Sequence, residues 1–305
     1  MVRRFILNAD DFGMSKAVNR AVLEAYEFGL LKSVSLTPNG EAFDEAVDAI
    51  LPKCPELGVG IHLNITKGKS MCTDIDLLTD SNMKFRHSYF GLLINAYNPQ
   101  KKDFLPQIER EFRRQIEKVL AKTKATHIDS HNHIHSIPPI FDMVCRLAKE
   151  YKIPQVRTHF EKFYLIPEPL RYINKTYFLN FHKKFLLNFF TLFNQNTVSK
   201  YELKTNDYLI GTGFASAMDS ISIAYGMKAV KEKNVTVEAF IHPCRYDEGT
   251  IDNYFDEYMI AKNKKLTDII LDSGYDITNY KEISEEVQEE TQKETREETQ
   301  EKTDT

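Results

Sequence analysis

Acidic and histidine side chains gather in four short clusters along this sequence of 305 residues. The clusters are NADDFG at residues 8–13, GIHLN at 60–64, HIDSHNHIH at 127–135 and EAFIHP at 238–243. Four of the nine histidines lie within the nine residues of the third cluster, which chance rarely produces. Asp10 and Asp11 follow an apolar run at residues 5–7 that predicts a buried strand. Unpaired charges at the end of such a strand are strongly disfavoured, so this pair predicts a bound partner.

A divalent metal ion is the partner that accounts for the four clusters together. Carboxylate and neutral imidazole suit zinc and related first-row ions, and a catalytic site commonly uses three protein ligands and a water molecule. One aspartate and two histidines from three strand ends supply that number. The metal polarises a carbonyl oxygen and lowers the pKa of its bound water. The second aspartate is then free to accept the proton of that water as a general base. The alternative, an Asx turn or helix cap, does not explain the apolar strand before the pair.

The position of each histidine relative to its strand separates predicted ligands from structural residues. His131 directly follows a predicted strand and is the better ligand of its cluster, whereas His127 is predicted to be a structural or ligand-orienting residue. His133 and His135 alternate with His131, so that one of them is expected to line the site or orient a ligand. An isolated His62 would more often be a packed residue, but the other clusters favour a ligand. Three further histidines are predicted to be surface or packing residues: His87, His159 and His182.

Strand-like and helix-like segments alternate along the chain and place these clusters at strand ends. Strands are predicted at residues 5–7, 33–36, 57–63, 126–130, 155–158, 208–211, 237–241 and 275–278. Helices are predicted at residues 16–28 (capped by Ser15), 41–51, 104–121 and 138–151, and residues 66–100 are predicted to form a long loop or lid. This alternation predicts a parallel sheet with crossover helices. Seven or eight such units favour a closed or nearly closed barrel, with a doubly wound sheet as the alternative.

The adjacent acids impose a condition on the first strand. Neighbouring residues of a strand point to opposite faces, so Asp10 and Asp11 can face one site only if the backbone bends there. Gly13, just beyond the pair, makes such a turn feasible. A bend at the end of the first strand is therefore predicted.

Two segments stand apart from this pattern. Aromatic residues recur at every fourth position from residue 177 to residue 193, which predicts a helix that packs on the body of the protein. Because this segment also contains the basic residues Lys183 and Lys184, three alternative roles of the helix stay open: a lid, a dimer face or a helix on a membrane surface. Residues 284–305 are rich in glutamate and are predicted to be a disordered or solvated acidic tail. The predicted barrel domain therefore spans residues 1–283.

Charge and cysteine content argue against several classes of protein. The net charge is -4, but the tail alone carries nine acids and three bases, so the body is near +2 and gives no sign of a nucleic-acid partner. The four cysteines are widely spaced without a CxxC pair, which predicts reduced thiols. The first apolar run breaks at Asn8, which predicts a strand and not a signal peptide. No apolar run approaches the roughly 20 residues of a transmembrane helix, and a cytoplasmic protein is expected.

The four clusters, in this order, resemble the motifs of the YdjC-like carbohydrate deacetylase family, which includes chitooligosaccharide deacetylases and hopanoid-associated relatives. The matching motifs span the chain up to about residue 280, without the tail. The resemblance implies an α/β fold, an irregular TIM-like (β/α) barrel, and one divalent metal ion, magnesium or zinc. It implies metal ligands at Asp11, His62 and His131 and a catalytic base at Asp10. The implied reaction removes an acetyl group from an N-acetylated amino sugar and yields acetate and a free amine.

Further roles follow from this resemblance. His242 is the candidate general acid that protonates the leaving amine, with His133 or His135 as substitutes. Relatives usually continue after the late His-Pro with Gly and Tyr, whereas this chain has CRY at residues 244–246, which is expected to bring Cys244 near the site. Substrate-binding or ligand-orienting roles are expected for Asn64, His133, His135 and Arg157.

Alternative functions remain open at this point. Another single-metal hydrolase of amides or phosphoesters could use the same barrel, because one fold hosts many chemistries. A two-metal amidohydrolase would usually place His-x-His after its first strand, where this chain has Asp10 and Asp11. A non-catalytic barrel used for binding is supported only by the aromatic segment and the acidic tail. A homodimer through the aromatic helix is a further hypothesis.

Overall fold

One curled, parallel β-sheet forms the centre of the protein, and helices alternate with its strands. The computed structural model describes residues 2–167, 177–215, 217–246 and 252–286. The strands are β1 (Arg3–Phe12), β2 (Ser33–Leu36), β3 (Gly58–Leu63), β4 (His127–Ser130), β5 (Gln155–Val156), β6 (Tyr208–Ile210), β7 (Val235–Ile241) and β8 (Asp276–Ile277).

The helices follow the strands in sequence. They are α1 (Lys16–Tyr26), α2 (Phe43–Glu45), α3 (Tyr89–Ala96), α4 (Phe104–Leu120), α5 (Pro138–Glu150), α6 (Tyr177–Lys200), α7 (Ser220–Ala229), α8 (Asn253–Ala261) and α9 (Lys264–Asp272). Shorter helical turns lie at Ala46–Ile50, Leu51–Lys53, His131–Ser136 and Thr212–Phe214. None of the helices in the described ranges is long and apolar enough to cross a membrane.

The strand order identifies the sheet as a partly closed barrel. Neighbours run β5-β4-β3-β2-β1-β7-β6, and all pairs are parallel. One edge of β1 pairs with β7, while the other edge is shared by β8 near its start and β2 near its end. Between β5 and β6, single hydrogen bonds such as Leu209 N to Phe160 O (2.8 Å) join the described segments. The sequential order confirms the predicted TIM-like α/β fold and argues against a doubly wound sheet.

Helix α1 shows how local sequence defines an element of this fold. The Ser15 hydroxyl accepts a hydrogen bond from Val18 N (3.3 Å), which is the predicted cap. The helix ends at Tyr26, and Gly29 beyond it has a φ of 80°, a conformation that glycine adopts without strain. The face that packs on the sheet is apolar and buried: Val18, Ala21, Val22 and Ala25.

The predicted bend in β1 is present and lies at Asp11 itself. Asp11 has a φ of 63° and Gly13 a φ of 84°, both in the left-handed region. The pairing of β1 with β2 shifts its register between Ala9 and Phe12, as a bulge does. This bend breaks the alternation of the strand, so the side chains of Asp10 and Asp11 need not point to opposite faces.

Two predicted segments differ from the observed structure. Residues 66–100 are not irregular throughout, because they include α3, at whose start the Ser88 hydroxyl accepts a hydrogen bond from Gly91 N (3.3 Å). The predicted helix at 41–51 is broken into α2, a π-helical turn and a 3-10 turn. The Leu-Pro pair at residues 51–52 explains the change, because proline cannot donate the backbone hydrogen bond that would continue the α-helix.

Helix α6 exists as predicted, but its aromatic stripe does not pack on the body. Phe181, Phe185, Phe189 and Phe193 are 39%, 51%, 53% and 53% exposed, whereas Leu187 on another face is fully buried. The helix therefore packs on the body as predicted, but through another face; both faces of α6 carry apolar residues, so a four-residue spacing does not show which face is inward. The side chain of Tyr177 and residues 287–305 of the predicted tail lie outside the described residues. Within residues 284–286, Glu286 accepts a hydrogen bond from Arg4.

Candidate metal centre

Three predicted ligands meet at the carboxyl ends of three strands. Asp11 lies at the bend of β1, His62 near the end of β3, and His131 directly after β4. Asp11 Oδ1 is 2.8 Å from His131 Nδ1 and 3.4 Å from His62 Nε2. The donor atoms of the three residues all lie within 4.8 Å of one another. Metal–ligand bonds of about 2 Å can join donor atoms this close to a single ion.

The ring of His62 is oriented for such a role by Asp129. Its Nδ1 lies 2.7 Å from Asp129 Oδ1, an arrangement that commonly directs the other ring nitrogen of a histidine toward a metal. That other nitrogen, Nε2, is buried and has no hydrogen-bond partner among the described residues. Buried polar atoms usually have a partner, so this orphaned nitrogen beside Asp11 and His131 fits a metal ligand.

Charges within this group shift the pKa values of its members. Burial alone would lower the pKa of His62, but Asp129 and Asp11 raise it to about 10. Burial alone would raise the pKa of Asp11, but His131 and His62 hold it well below its usual range. The carboxylate is therefore ionised at neutral pH, as a metal ligand must be.

A second set of residues is close enough to bind an ion but is already occupied. Asp10, His62 and Asp129 also lie within 4.8 Å of one another. Arg157 binds both carboxylates, with distances of 2.8 Å to Asp10 Oδ1 and 2.7 Å to Asp129 Oδ2. A guanidinium bound between these acids compensates their charge, so a metal fits the set of Asp11, His62 and His131 better.

Arg157 is the centre of a buried ion-pair network. Its guanidinium is fully buried and also lies 2.6 Å from Glu238 Oε1 on β7. Two of its nitrogens donate to the two oxygens of Asp10, and Asn8 Nδ2 donates to Asp10 Oδ1 (2.8 Å). His135 Nε2 lies 3.0 Å from the backbone oxygen of Arg157, a contact that helps to fix the backbone of the arginine. Asp10 is thus fixed beside the candidate ligands by groups other than histidine.

His242 lies at the end of β7 and pairs with a carboxylate that the sequence did not reveal. Its Nδ1 is 3.2 Å from Glu257 Oε2, and its backbone N–H donates to the same oxygen. Burial would lower the pKa of His242, but the buried Glu257 carboxylate raises it to about 9. A protonated histidine at neutral pH can serve as a general acid.

The remaining predicted residues have mainly supporting contacts. The Asn64 side chain shapes the turn after β3: its Oδ1 accepts from Lys67 N (3.1 Å) and its Nδ2 donates to Asn39 Oδ1 (3.0 Å). His127 packs inside the sheet with Nε2 3.2 Å from Ser35 Oγ. Gly60 leaves room for that ring, since a Cβ there would lie 2.3 Å from it.

His133, His159 and Cys244 are all buried near these groups. The His133 ring lies 5.0 Å from that of Phe240, two residues before His242. His159, predicted to be a surface or packing residue, is 1% exposed and its ring lies 5.0 Å from His133. Cys244 is buried and its backbone N–H donates to the oxygen of Tyr254 (3.1 Å). The four cysteines are free thiols, as expected.

Three residues of the candidate site were missed from the sequence. Asp129 lies two residues before His131, and Glu238 lies four residues before His242. Both therefore belong to the third and fourth clusters, and their positions on predicted strands could have identified them. Glu257 lies on α8, fifteen residues beyond its partner His242, and carries no local motif. Only the packing of α8 against the end of β7 brings these two groups together.

An α/β half-barrel with an aspartate and two histidines at its strand ends defines a candidate metal-dependent protein. The sequence profile described as YdjC-like protein matches residues 4–298, and the chain belongs to this family. The match extends beyond Ser284, where the sequence had placed the end of the resemblance.

Several relatives in the family are named carbohydrate deacetylase. The chain is 43% identical over 152 residues to one from Brevibacillus brevis, covering 50% of this chain and 58% of that protein. It is 39% identical over 152 residues to one from Clostridium beijerinckii, with the same coverage, and 38% identical over 153 residues to one from Oceanobacillus iheyensis, covering 50% of this chain and 63% of that protein. The chain therefore spans less than two thirds of the length of the relatives it matches.

A crystal structure supports the fold over nearly the whole chain. It belongs to a protein from Enterococcus faecalis V583 named for cellobiose-phosphate cleavage. The TM-score is 0.72 at 20% sequence identity, and the superposition covers 93% of this chain and 99% of that one. At this identity the likeness concerns the fold alone.

Proposed function

We propose that this protein is a metal-dependent N-deacetylase that releases acetate from an N-acetylated amino sugar in an oligosaccharide or glycoconjugate. The observation that carries the proposal is the set of Asp11, His62 and His131, beside which Asp10 is held by Arg157 and not by a histidine. The relatives named carbohydrate deacetylase support the reaction and the class of substrate.

One divalent ion, magnesium or zinc, is proposed to bind Asp11, His62 and His131. Two imidazole nitrogens favour zinc, because magnesium prefers oxygen ligands. The bound ion would polarise the acetyl carbonyl and lower the pKa of a water molecule. The orphaned Nε2 of His62 is the structural feature that supports this ligand set.

Asp10 is the proposed general base. It lies within 4.8 Å of His62, so its carboxylate borders the proposed ligand set without belonging to it. Arg157 and Asn8 fix both of its oxygens in direction, which reduces the cost of ordering the base for proton transfer. In this role Asp10 takes a proton from the attacking water.

His242 is the proposed general acid for the leaving amine. Because Glu257 holds its Nδ1, the other ring nitrogen is the one that would donate a proton to the sugar nitrogen. His135 is less suited to this role, since Ser130 and the Arg157 backbone oxygen occupy both of its ring nitrogens. His133 keeps one unpartnered nitrogen and remains a proposed substrate-binding residue. A cytoplasmic location, a barrel domain of residues 1–283, a ligand-orienting role for Asn64 and a homodimer through α6 remain predictions.

The test separates the base from the ligands. Asp10→Asn and His131→Ala are compared with wild type and with the surface control Asp48→Asn, in metal-replete assays of acetate release. The substrates are N-acetylglucosamine oligomers, phosphorylated disaccharides and glycolipid head groups. Asp10→Asn should keep its metal and lose roughly 10²–10⁴-fold in rate, whereas His131→Ala should lose metal and activity together.

Two results would contradict these assignments. Full activity of Asp10→Asn with metal bound would remove Asp10 as the base. No acetate release by the metal-loaded wild type from any acetylated amino sugar would remove the proposed function. Thermal unfolding of each variant shows whether a loss of activity reflects a loss of fold.

A further inference from the structure

Helix α6 brings a lysine without a counter-ion to the turn that carries the ligand His131. Lys183 is half-buried, and no carboxylate among the described residues pairs with it. Its Nζ lies 5.5 Å from the centroid of the Tyr89 ring. The next residue, Lys184, differs sharply: it lies 3.3 Å from Glu161 and donates to a backbone oxygen. A half-buried cation without an anion is unfavourable unless an external group compensates it.

Two buried histidines, one on the turn that carries His131 and one packed against it, also have ring nitrogens without partners among the described residues. Both ring nitrogens of His159, and Nδ1 of His133, are buried without a hydrogen-bond partner in the described part of the chain. A neutral imidazole always carries one N–H, so His159 buries at least one donor that no protein group accepts. The rings of His133 and His159 are 5.0 Å apart, which allows both to face one ligand group.

Tyr89 links the surroundings of Lys183 to the turn that carries His133. Ser136 ends the turn that carries His133. Its hydroxyl lies 2.9 Å from the hydroxyl of Tyr89, the residue whose ring faces Lys183. From α6, Asn194 Nδ2 donates to the Ser136 backbone oxygen (2.8 Å). Next to burial, the charge of Lys183 is the largest influence that keeps the pKa of His133 well below its usual range, which agrees with this proximity.

We propose that Lys183, His133 and His159 form a subsite for an oxyanion on the substrate, a phosphate ester or a carboxylate. Lys183 would supply the charge, and the two imidazoles would donate hydrogen bonds to the anionic oxygens. This inference rests on the proposed function for the identity of the substrate. Two residues of backbone span at most about 7 Å, so the subsite lies close to the ligand His131. The oxyanion and the acetyl group would then belong to the same or to neighbouring sugar rings.

The direct test is the binding of inorganic phosphate and of glucuronate to the full-length, metal-loaded protein. Wild type is compared by calorimetry with Lys183→Met, with the charge-preserving Lys183→Arg, and with Lys200→Met, an exposed lysine of the same helix that pairs with Asp142. Lys183→Met should weaken binding of at least one anion by roughly 10- to 100-fold, whereas Lys200→Met should leave it unchanged. Lys183→Arg should retain most of the affinity.

A second measurement separates this subsite from anion binding at the metal. His131→Ala, which should lack the ion, should still bind the anion in a manner that depends on Lys183. The ring ¹⁵N signals of His159 should shift on anion addition in wild type and not in Lys183→Met. Equal affinity of wild type and Lys183→Met for both anions, with the His159 signals unchanged, would overturn the proposal.

Activity assays distinguish failure of this proposal from failure of the proposed function. If acetate is released, Lys183→Met should raise KM for an anionic acetylated sugar by roughly 10-fold or more and leave a neutral one unaffected. Equal KM values for the anionic sugar would overturn the subsite while the deacetylase remains. Lys183-dependent anion binding without any acetate release would support the subsite and overturn the deacetylase.

Discussion

Replacing Glu257 with glutamine tests the proposed acid at the end of β7. The fully buried Glu257 carboxylate overcomes the effect of burial and raises the pKa of His242 from 6.5 to about 9. Glu257→Gln removes that charge and leaves burial together with the smaller raising effects of Asp10 and Asp11, which should bring the pKa down to about 6.5. At pH 8, the protonated fraction of His242 then falls from about nine-tenths to about three-hundredths, so kcat/KM should fall by roughly 30-fold. Near pH 5.5 the loss should be much smaller, because the histidine is protonated in both proteins.

The assay is the pH profile of acetate release by metal-replete protein. Its alkaline limb should lie near pH 9 in wild type and move by about two units or more toward acid in Glu257→Gln. Asp256→Asn, an exposed acid beside it on α8, is the matched control and should keep the wild-type profile. Metal content should be equal in all three proteins. An alkaline limb that stays near pH 9 in Glu257→Gln, with metal bound, would refute the role of the His242–Glu257 pair.

Three further predictions concern the ion pairs and ligands. Asp129→Asn should weaken metal binding by about 10- to 100-fold, measured by competition with a chelator, because it removes the carboxylate that orients His62; unchanged affinity would contradict this. Arg157→Met should lower the free energy of unfolding by about 3–5 kcal/mol in urea titrations, because it leaves Asp10 and Glu238 buried without their cation; a loss below 1 kcal/mol would contradict it. Because the pKa of His62 is raised to about 10, a metal ion must displace a proton from His62 when it binds. The apparent affinity for the metal should therefore rise about tenfold per pH unit between pH 6 and 8. A flat profile would show that His62 is already neutral.

The sequence predicted the strand ends better than the contacts between them. Asp11, His62 and His131 were identifiable because each polar residue follows an apolar strand, and parallel strands present their carboxyl ends at one edge. The bend at Asp11 was also predictable, since two adjacent acids could not otherwise face one site. The pairing of His242 with Glu257 was not, because it depends on where α8 packs after a segment of about ten residues.

The orientation of α6 shows a second limit of the pattern. Its phenylalanines recur every fourth residue, which identifies a helix but not its inner face, because Leu187 and Phe190 bury another apolar face. The pattern of apolar residues also gave no sign of the polar groups on the inner side of α6. One of them, Asn194, binds the turn after β4. Predicting the inner face would have required knowledge of Ser136, which only the fold provides.

The charges around β1 explain why its two adjacent acids need different partners. Asp10, Asp129 and Glu238 surround one guanidinium, that of Arg157, so a single positive charge is shared by three buried carboxylates. If β1 continued as a regular strand, the Asp11 side chain would point to the face opposite that of Asp10. The left-handed backbone at Asp11 turns it instead toward two imidazoles. A divalent ion bound there would compensate the remaining negative charge. A second arginine could also compensate that charge, but it would offer no coordination position for a water molecule.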